Sequence, residues 1–207
     1  MPTLTLYTNP MSRGRIARWM LEEVGEPYET VVLDYGTTMK GADFLAINPM
    51  GKVPAITHGD TVVTENAAIA AYLADAFPNA GLAPPTADRG AYYRWLFFAA
   101  GPVEAAVTNK AFGFEAPDKK RSLGYGSYEE TLDTLEIAIA NGPFICGDRF
   151  TAADVVVGSQ LGFGMMFGTI GKRPSFETYV ARLHARPAFI RAGELDDAAM
   201  PKQEHSS

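Results

Sequence analysis

The character of this chain changes once, and that change limits the fold more than any other feature. Before residues 78–86, PNAGLAPPT, short β-prone runs alternate with amphipathic ones; after them every periodic stretch is helical. Proline and glycine at this density mark a linker. On the N-terminal side TLTLY (3–7) reads as a strand, residues 12–24 as a helix, and YETVVLD (28–34) as a second strand. Gly25 closes the helix in the way a C-terminal glycine does. A β-α-β unit of this length implies two parallel strands with a right-handed crossover. Next come a short helical segment at 42–47, the turn NPMG, strands at 55–58 and 61–64 joined by Gly59-Asp60, and a helix over 65–77. Beyond the linker, helices are predicted over 87–110, 128–141, 152–167 and 175–195. In the second of these Leu132, Leu135 and Ile139 form an apolar stripe opposite Glu129, Glu130, Asp133 and Glu136. The expected organisation is an α/β domain over 1–78, a linker over 79–87 and an all-helical domain over 88–207, with a mobile polar tail after Leu195.

Composition narrows the function classes. With 207 residues, 47% of them hydrophobic and 20% charged, the chain can bury a real core. A net charge of -6 disfavours nucleic acid, which needs clustered Lys and Arg against phosphates. No apolar run is long enough to cross a bilayer, and MPTLTLY passes straight into a strand pattern without a signal peptide, so a cytoplasmic protein is expected. Cys146 is the sole cysteine, which leaves no disulfide or CxxC pair within one chain. His58, His184 and His205 are far apart in sequence, so no metal site is expected.

The stretch GKVPAITHGDTVVTEN (51–66) places Pro54 directly before a strand. Proline there removes a ladder donor at little cost, which is one reading; a cis Val53–Pro54 bond that turns the chain abruptly is the other. Thr64, Glu65 and Asn66 open the following helix and can serve simply as its cap. Further on, Thr151 and Asp154 have capping-box spacing, with Phe150 and Val155 at the positions of a hydrophobic staple; Asp154 is read as structural.

Taken together, INPMGKVPAI, VVTENAAIAAYL and FICGDRFTAADVVVG resemble the cytosolic, bacterial-type glutathione S-transferases, and the resemblance covers essentially the whole chain. It implies a thioredoxin-like N-terminal domain, an all-helical C-terminal domain and a cis Val53–Pro54 bond. The backbone of Val53 would pair with the cysteinyl backbone of glutathione like an added strand. Glu65 would take the glutamyl ammonium, while Asn66 and the helix start would take its carboxylate. Family members usually have serine where this chain has Asn66, although an amide can still donate. Lys52, adjoining Val53, and Lys40 are candidates for the glycyl carboxylate.

The reacting centre would lie in YTNPMSRGRIARW. Its task is to hold the glutathione thiol, ordinarily of pKa about 8.5, as a thiolate; each unit of depression needs about 1.4 kcal/mol. Ser12 at the helix start is the first candidate, with Tyr7 and Asn9 as rivals. Arg13 and Arg15 oppose the dipole of the first helix unless an anion offsets them; a glutathione carboxylate or an acid across a dimer interface would do so, and the alternative is a solvated basic face including Arg18. YYRWLFFAA (92–100) and FGMMFG (163–168) are mostly core, with a minority available to line an adaptable apolar pocket. The implied activity is attack of glutathione, a substrate and not a resident cofactor, on a small apolar electrophile. A noncatalytic binding protein and a glutathione-dependent isomerase, dehalogenase or peroxidase are the alternatives on the same scaffold. The resemblance also implies a two-fold homodimer. Tyr92, Tyr93, Trp95, Phe97 and Phe98 cannot all lie on one helical face, which adds modest support.

Overall fold

The computed structural model describes residues 2–114 and 116–201. The chain gathers into two compact units, one running to Leu73 and taking in the segment from Pro187 onward, the other Ala74–Arg186. In the first, β1 (Leu4–Thr8), β2 (Glu29–Val32), β3 (Ala55–His58) and β4 (Thr61–Thr64) form one sheet in the order β2-β1-β3-β4. β1 and β2 are parallel, as the β-α-β reading requires, and the other two pairs are antiparallel. Helix α1 (Gly14–Val24) links the parallel strands and ends at Gly25, whose N–H still donates to the Leu21 carbonyl and whose left-handed backbone then turns the chain out of the helix. Leu4 and Leu6 of β1, Ile56 of β3, and Ile16, Met20 and Leu21 of α1 are buried, which places the core of this unit on α1 and the two middle strands. Helices α2 (Ala42–Ile47) and α3 (Asn66–Ala76) complete the β-α-β-α-β-β-α order.

The second unit is helical. A run expected as one helix over 87–110 is α4 (Gly90–Phe98), a π turn (Ala99–Val103) and α5 (Glu104–Phe112). Pro102 explains the interruption: it has no N–H to give the helical ladder, and the wider turn lets the Glu104 N–H reach back to the Ala99 carbonyl. α6 (Tyr128–Ile139) and α7 (Ala152–Phe167) follow, and α7 is buried through its first two turns. Its start carries the expected capping box: Asp154 accepts from the Thr151 N–H at 2.8 Å. The same buried carboxylate accepts from the Ile145 N–H at 2.7 Å and the Tyr179 hydroxyl at 2.8 Å, so it joins three segments of the unit. Burial pushes its carboxyl above the usual range, against the pull of these donors.

The last predicted helix, 175–195, is two helices, α8 (Pro174–His184) and α9 (Pro187–Ala198). Pro187 supplies the reason, because it lacks an N–H and disfavours the helical region for Arg186 before it. α9 belongs with the first unit, where the sequence reading had the whole of 88–207 as one helical domain. It packs along α1, with Trp19 and Phe189 edge to face at 5.0 Å between ring centroids. A polar tail is expected after Leu195; the helix continues to Ala198, and residues 202–207, with His205, lie outside the described residues.

Asp154→Ala leaves three buried donors without an acceptor and is expected to destabilise the protein by about 3 kcal/mol or more. A urea unfolding curve should show a lower midpoint at an unchanged slope; an unmoved midpoint refutes this role.

Candidate active site

Strand register brings the candidate segments together. Ala55 of β3 pairs with Tyr7 of β1 on one side and with Thr64 of β4 on the other. β1 and β4 therefore finish at the same end of the sheet at which β3 begins. Residues 9–14, Val53–Pro54 and Glu65–Asn66 all follow or precede these strand ends.

The Val53–Pro54 bond is cis and Pro54 is buried. The turn before it is braced from within. Asn48 accepts from the Met50 N–H at 3.1 Å and donates to the Lys52 carbonyl at 2.7 Å. Lys40 places its ammonium on the carbonyls of Met50 and Gly51, at 3.0 and 2.7 Å. Gly51 is obligatory there: its φ is 57°, and a Cβ would stand 2.9 Å from the Met39 carbonyl. Lys40, a candidate for a ligand carboxylate, is thus engaged as a brace of the turn, while Lys52 is exposed. The Val53 side chain packs on Leu33, Met39, Phe44 and Ala55, and its backbone lies just outside the ladder. Sequence reasoning passed over Asn48; its signal was the Asn two residues before Met50 in a turn, where the side chain mimics a backbone acceptor.

At the end of β4, Glu65 has φ 69°, the one positive φ at a non-glycine position among the described residues. Nothing in a Glu codes for this, since left-handed backbone favours Gly, Asn and Asp. The turn sends the chain from β4 straight into α3, with the Ile69 N–H on the Glu65 carbonyl at 2.8 Å. Such outliers persist where surrounding structure holds them, and they cluster at ligand sites. Glu65 is exposed, and Asn66 is half-buried with its side-chain oxygen buried and unbonded. That oxygen is an acceptor without a donor; what can receive an anion here is the positive end of α3, whose first N–H groups have no partner within the helix.

The segment after β1 is a closed network. Asn9 is buried; its amide donates to the Leu33 carbonyl at 2.8 Å and accepts from the Met11 N–H at 2.9 Å. Both ends of that amide are occupied, which fits a loop brace rather than a donor to sulfur. Ser12 donates from its hydroxyl to the Asn9 carbonyl at 2.7 Å and accepts from the Gly14 N–H at 2.9 Å. Its one proton lies on the Asn9 carbonyl and would have to rotate off it to reach a ligand, while the N–H bond it accepts polarises it as a donor. Tyr7 is partly buried, with its ring tilted on Phe44 at 5.7 Å in the cluster that also holds Val53. Gly14 seats the helix start on the strand: a Cβ there would meet Thr8 Oγ1 at 1.9 Å and Ser12 Oγ at 2.9 Å.

The arginines are not a solvated face. Arg18 is buried and donates to Asp196 at 2.7 Å, and Arg15 pairs with Asp197 at 2.6 Å. The anion that offsets Arg15 in α1's first turn thus comes from α9 of the same chain. Burial pushes the Asp196 carboxyl up, and the Arg18 guanidinium holds it down. Arg13 is exposed. In the helical unit, burial pushes the Cys146 thiol up to about 11, so it stays protonated near neutral pH and makes a poor nucleophile. Of the aromatics in 92–100, Tyr92 and Trp95 are core, whereas Tyr93 and Phe97 are 41% and 69% exposed. Met166 and Phe167 at the end of α7 are exposed, as are Phe112 and Phe114, stacked at 6.1 Å. Among the described residues there is no group of three His, Cys, Asp or Glu placed to hold a metal, and no helix is long and apolar enough to cross a membrane.

Comparison with known proteins converges on one family. Residues 2–75 match the glutathione S-transferase N-terminal domain. Glutathione S-transferase 3 of Zea mays is 31% identical over 206 residues, covering 91% of this chain and 92% of that one. A glutathione transferase from Methylococcus capsulatus superposes with a TM-score of 0.77 at 32% identity, covering 95% of this chain and 100% of that one. A glutathione transferase homologue from Sulfitobacter, solved with bound glutathione, gives a TM-score of 0.75 at 26% identity, covering 97% and 100%. The chain belongs to the glutathione S-transferase family.

Proposed function

We propose that this chain is a glutathione transferase that holds glutathione as a thiolate beside Ser12 for attack on a small apolar electrophile. The observation that carries the reading is the register of Ala55, which gathers the cis-proline turn, the strained Glu65 and the Ser12 loop at one sheet end. The glutathione bound to the Sulfitobacter homologue supports the choice of ligand. The Val53 backbone would pair with the peptide, Glu65 would face its α-ammonium, and the Asn66 amide N–H₂ with the N–H groups of the α3 start would face its α-carboxylate. Lys52 and Arg13 are the exposed cations for the glycyl end; Lys40 acts through the turn it braces. The thiol proton leaves to solvent, sulfur bonds to the electrophilic carbon, and either that carbon's leaving group departs with its bonding pair or its π bond opens and the far atom takes a proton from solvent. The protein contributes acidity and position, with no covalent bond to itself.

The competing reading, a binding protein without catalysis, draws on the Ser12 hydroxyl already resting on the Asn9 carbonyl. The pH profile of bound glutathione separates the two. Ser12→Ala should raise the apparent thiol pKa, followed by thiolate absorbance, with binding nearly intact. If Tyr7→Phe raises it and Ser12→Ala does not, Tyr7 is the activating group.

Glu65→Ala should weaken glutathione binding by about 1.5–3 kcal/mol in calorimetry, the range of a hydrogen bond to a charged group. Unchanged affinity in a folded variant removes Glu65 from the site.

Assembly is proposed as a two-fold homodimer, the first domain of each subunit against the helical domain of the other. The exposed Tyr93 and Phe97 are apolar surface for which a partner is the natural cover. A lasting interface would bury at least about 1,000 Å². Light scattering should therefore give twice the chain mass, and a value near 22.3 kDa refutes the dimer.

A further inference from the structure

Arg15 does two things at once. Its Nε–H donates to the Pro10 carbonyl at 2.6 Å, and its Nη2 donates to Asp197 Oδ1 at 2.6 Å. Pro10 lies in the loop that carries Ser12, between Asn9, whose carbonyl receives the Ser12 hydroxyl, and Met11, whose N–H is tied to the Asn9 side chain. Asp197 is on α9, 182 residues away in sequence. The guanidinium is planar, so fixing Nη2 on a carboxylate also fixes the direction in which Nε–H points. One side chain therefore connects the last helix to the Ser12 loop.

We propose that Arg15 is a positioning residue for Ser12, and that Asp197 on α9 holds Arg15 in the orientation this requires. The inference rests on the proposed role of Ser12 in acidifying the thiol. Its rival is a plain surface staple between α9 and α1. Asp197 is largely exposed, and an exposed ion pair adds little to stability, so a staple would leave almost no trace when cut. The buried Arg18–Asp196 pair already docks α9 on α1 without it.

Electrostatics makes the test sharp, because the two accounts predict opposite signs. Removing a carboxylate from the neighbourhood of a thiolate lowers the thiol pKa by simple Coulomb interaction, weakly for an exposed group. Losing the orientation of Ser12 raises it. In Asp197→Ala the apparent pKa of bound glutathione, read by thiolate absorbance against pH, is expected to rise. The rate below that pKa is expected to fall about five-fold, the size of one ordinary hydrogen bond, with KM for glutathione within about two-fold of the parent. Asp197→Asn keeps the acceptor and drops the charge, and is expected to stay near the parent value. Ser12→Ala is run alongside. A thiol pKa that falls or stands still in Asp197→Ala, while Ser12→Ala raises it, overturns the link and leaves Ser12 in its role. A flat profile in Ser12→Ala itself removes both.

Discussion

Strand β3 is bonded on both sides, and the register of its two ladders decides where three loops end. Gly59 fixes that register from the far end. Its φ of 58° closes the tight turn into β4, and its N–H donates to the Thr3 carbonyl at 3.0 Å, just ahead of β1. Ile56 then stands beside Leu6, both fully buried, and Ala55 comes level with Tyr7 and Thr64. A slip of one residue would turn Ile56 out of the core and carry Val53–Pro54 away from the loop after β1. The apolar core and the candidate site therefore stand or fall on the same pairing.

Once register has delivered the loops, polar side chains hold them. Asn9, Asn48 and Lys40 each satisfy backbone groups that irregular chain leaves unpaired. Buried or half-buried backbone near a ligand site must be paired with something, and short polar side chains do this without extra chain. Glu65 and Lys52 stay exposed, and the Asn66 side-chain oxygen is an acceptor without a donor. This division of labour, with some polar residues consumed by the scaffold and others presented, is what distinguishes a site from a polar surface.

Much of this was legible in the sequence wherever the signal is local. Alternation at 3–7, the Gly25 stop, the Gly59-Asp60 turn and the Thr151–Asp154 spacing each act within a few residues, and each element formed. Pro54 raised two readings locally, and the family resemblance chose between them. Failures came where a residue answers to a distant partner. Arg15 and Arg18 looked like a basic face because Asp196 and Asp197 lie some 180 residues on, and no periodicity connects them. Lys40 and Asn9 have the right chemistry for ligand groups, but whether that chemistry is already spent depends on carbonyls brought near by folding. The left-handed Glu65 has no sequence signal at all, since its conformation is imposed by the strand before it and the helix after it. The break at Pro187 was readable and was overridden by the amphipathic pattern on either side.

The π turn at Ala99–Val103 has a consequence for how the helical unit can vary. A π turn holds one more residue than the α turn it replaces, and each residue in an α-helix accounts for about 100° of rotation. α5 is therefore set round from α4 by one residue's worth of angle relative to an unbroken helix. Deleting a single residue here would heal the ladder into regular helix, were Pro102 also replaced. The surface that α5 presents, ending in the exposed Phe112, would then keep its place, because the residue removed is the one the wide turn had absorbed. This half of the helical unit can therefore gain or lose one residue at this turn without being re-aimed, which a straight α-helix cannot do.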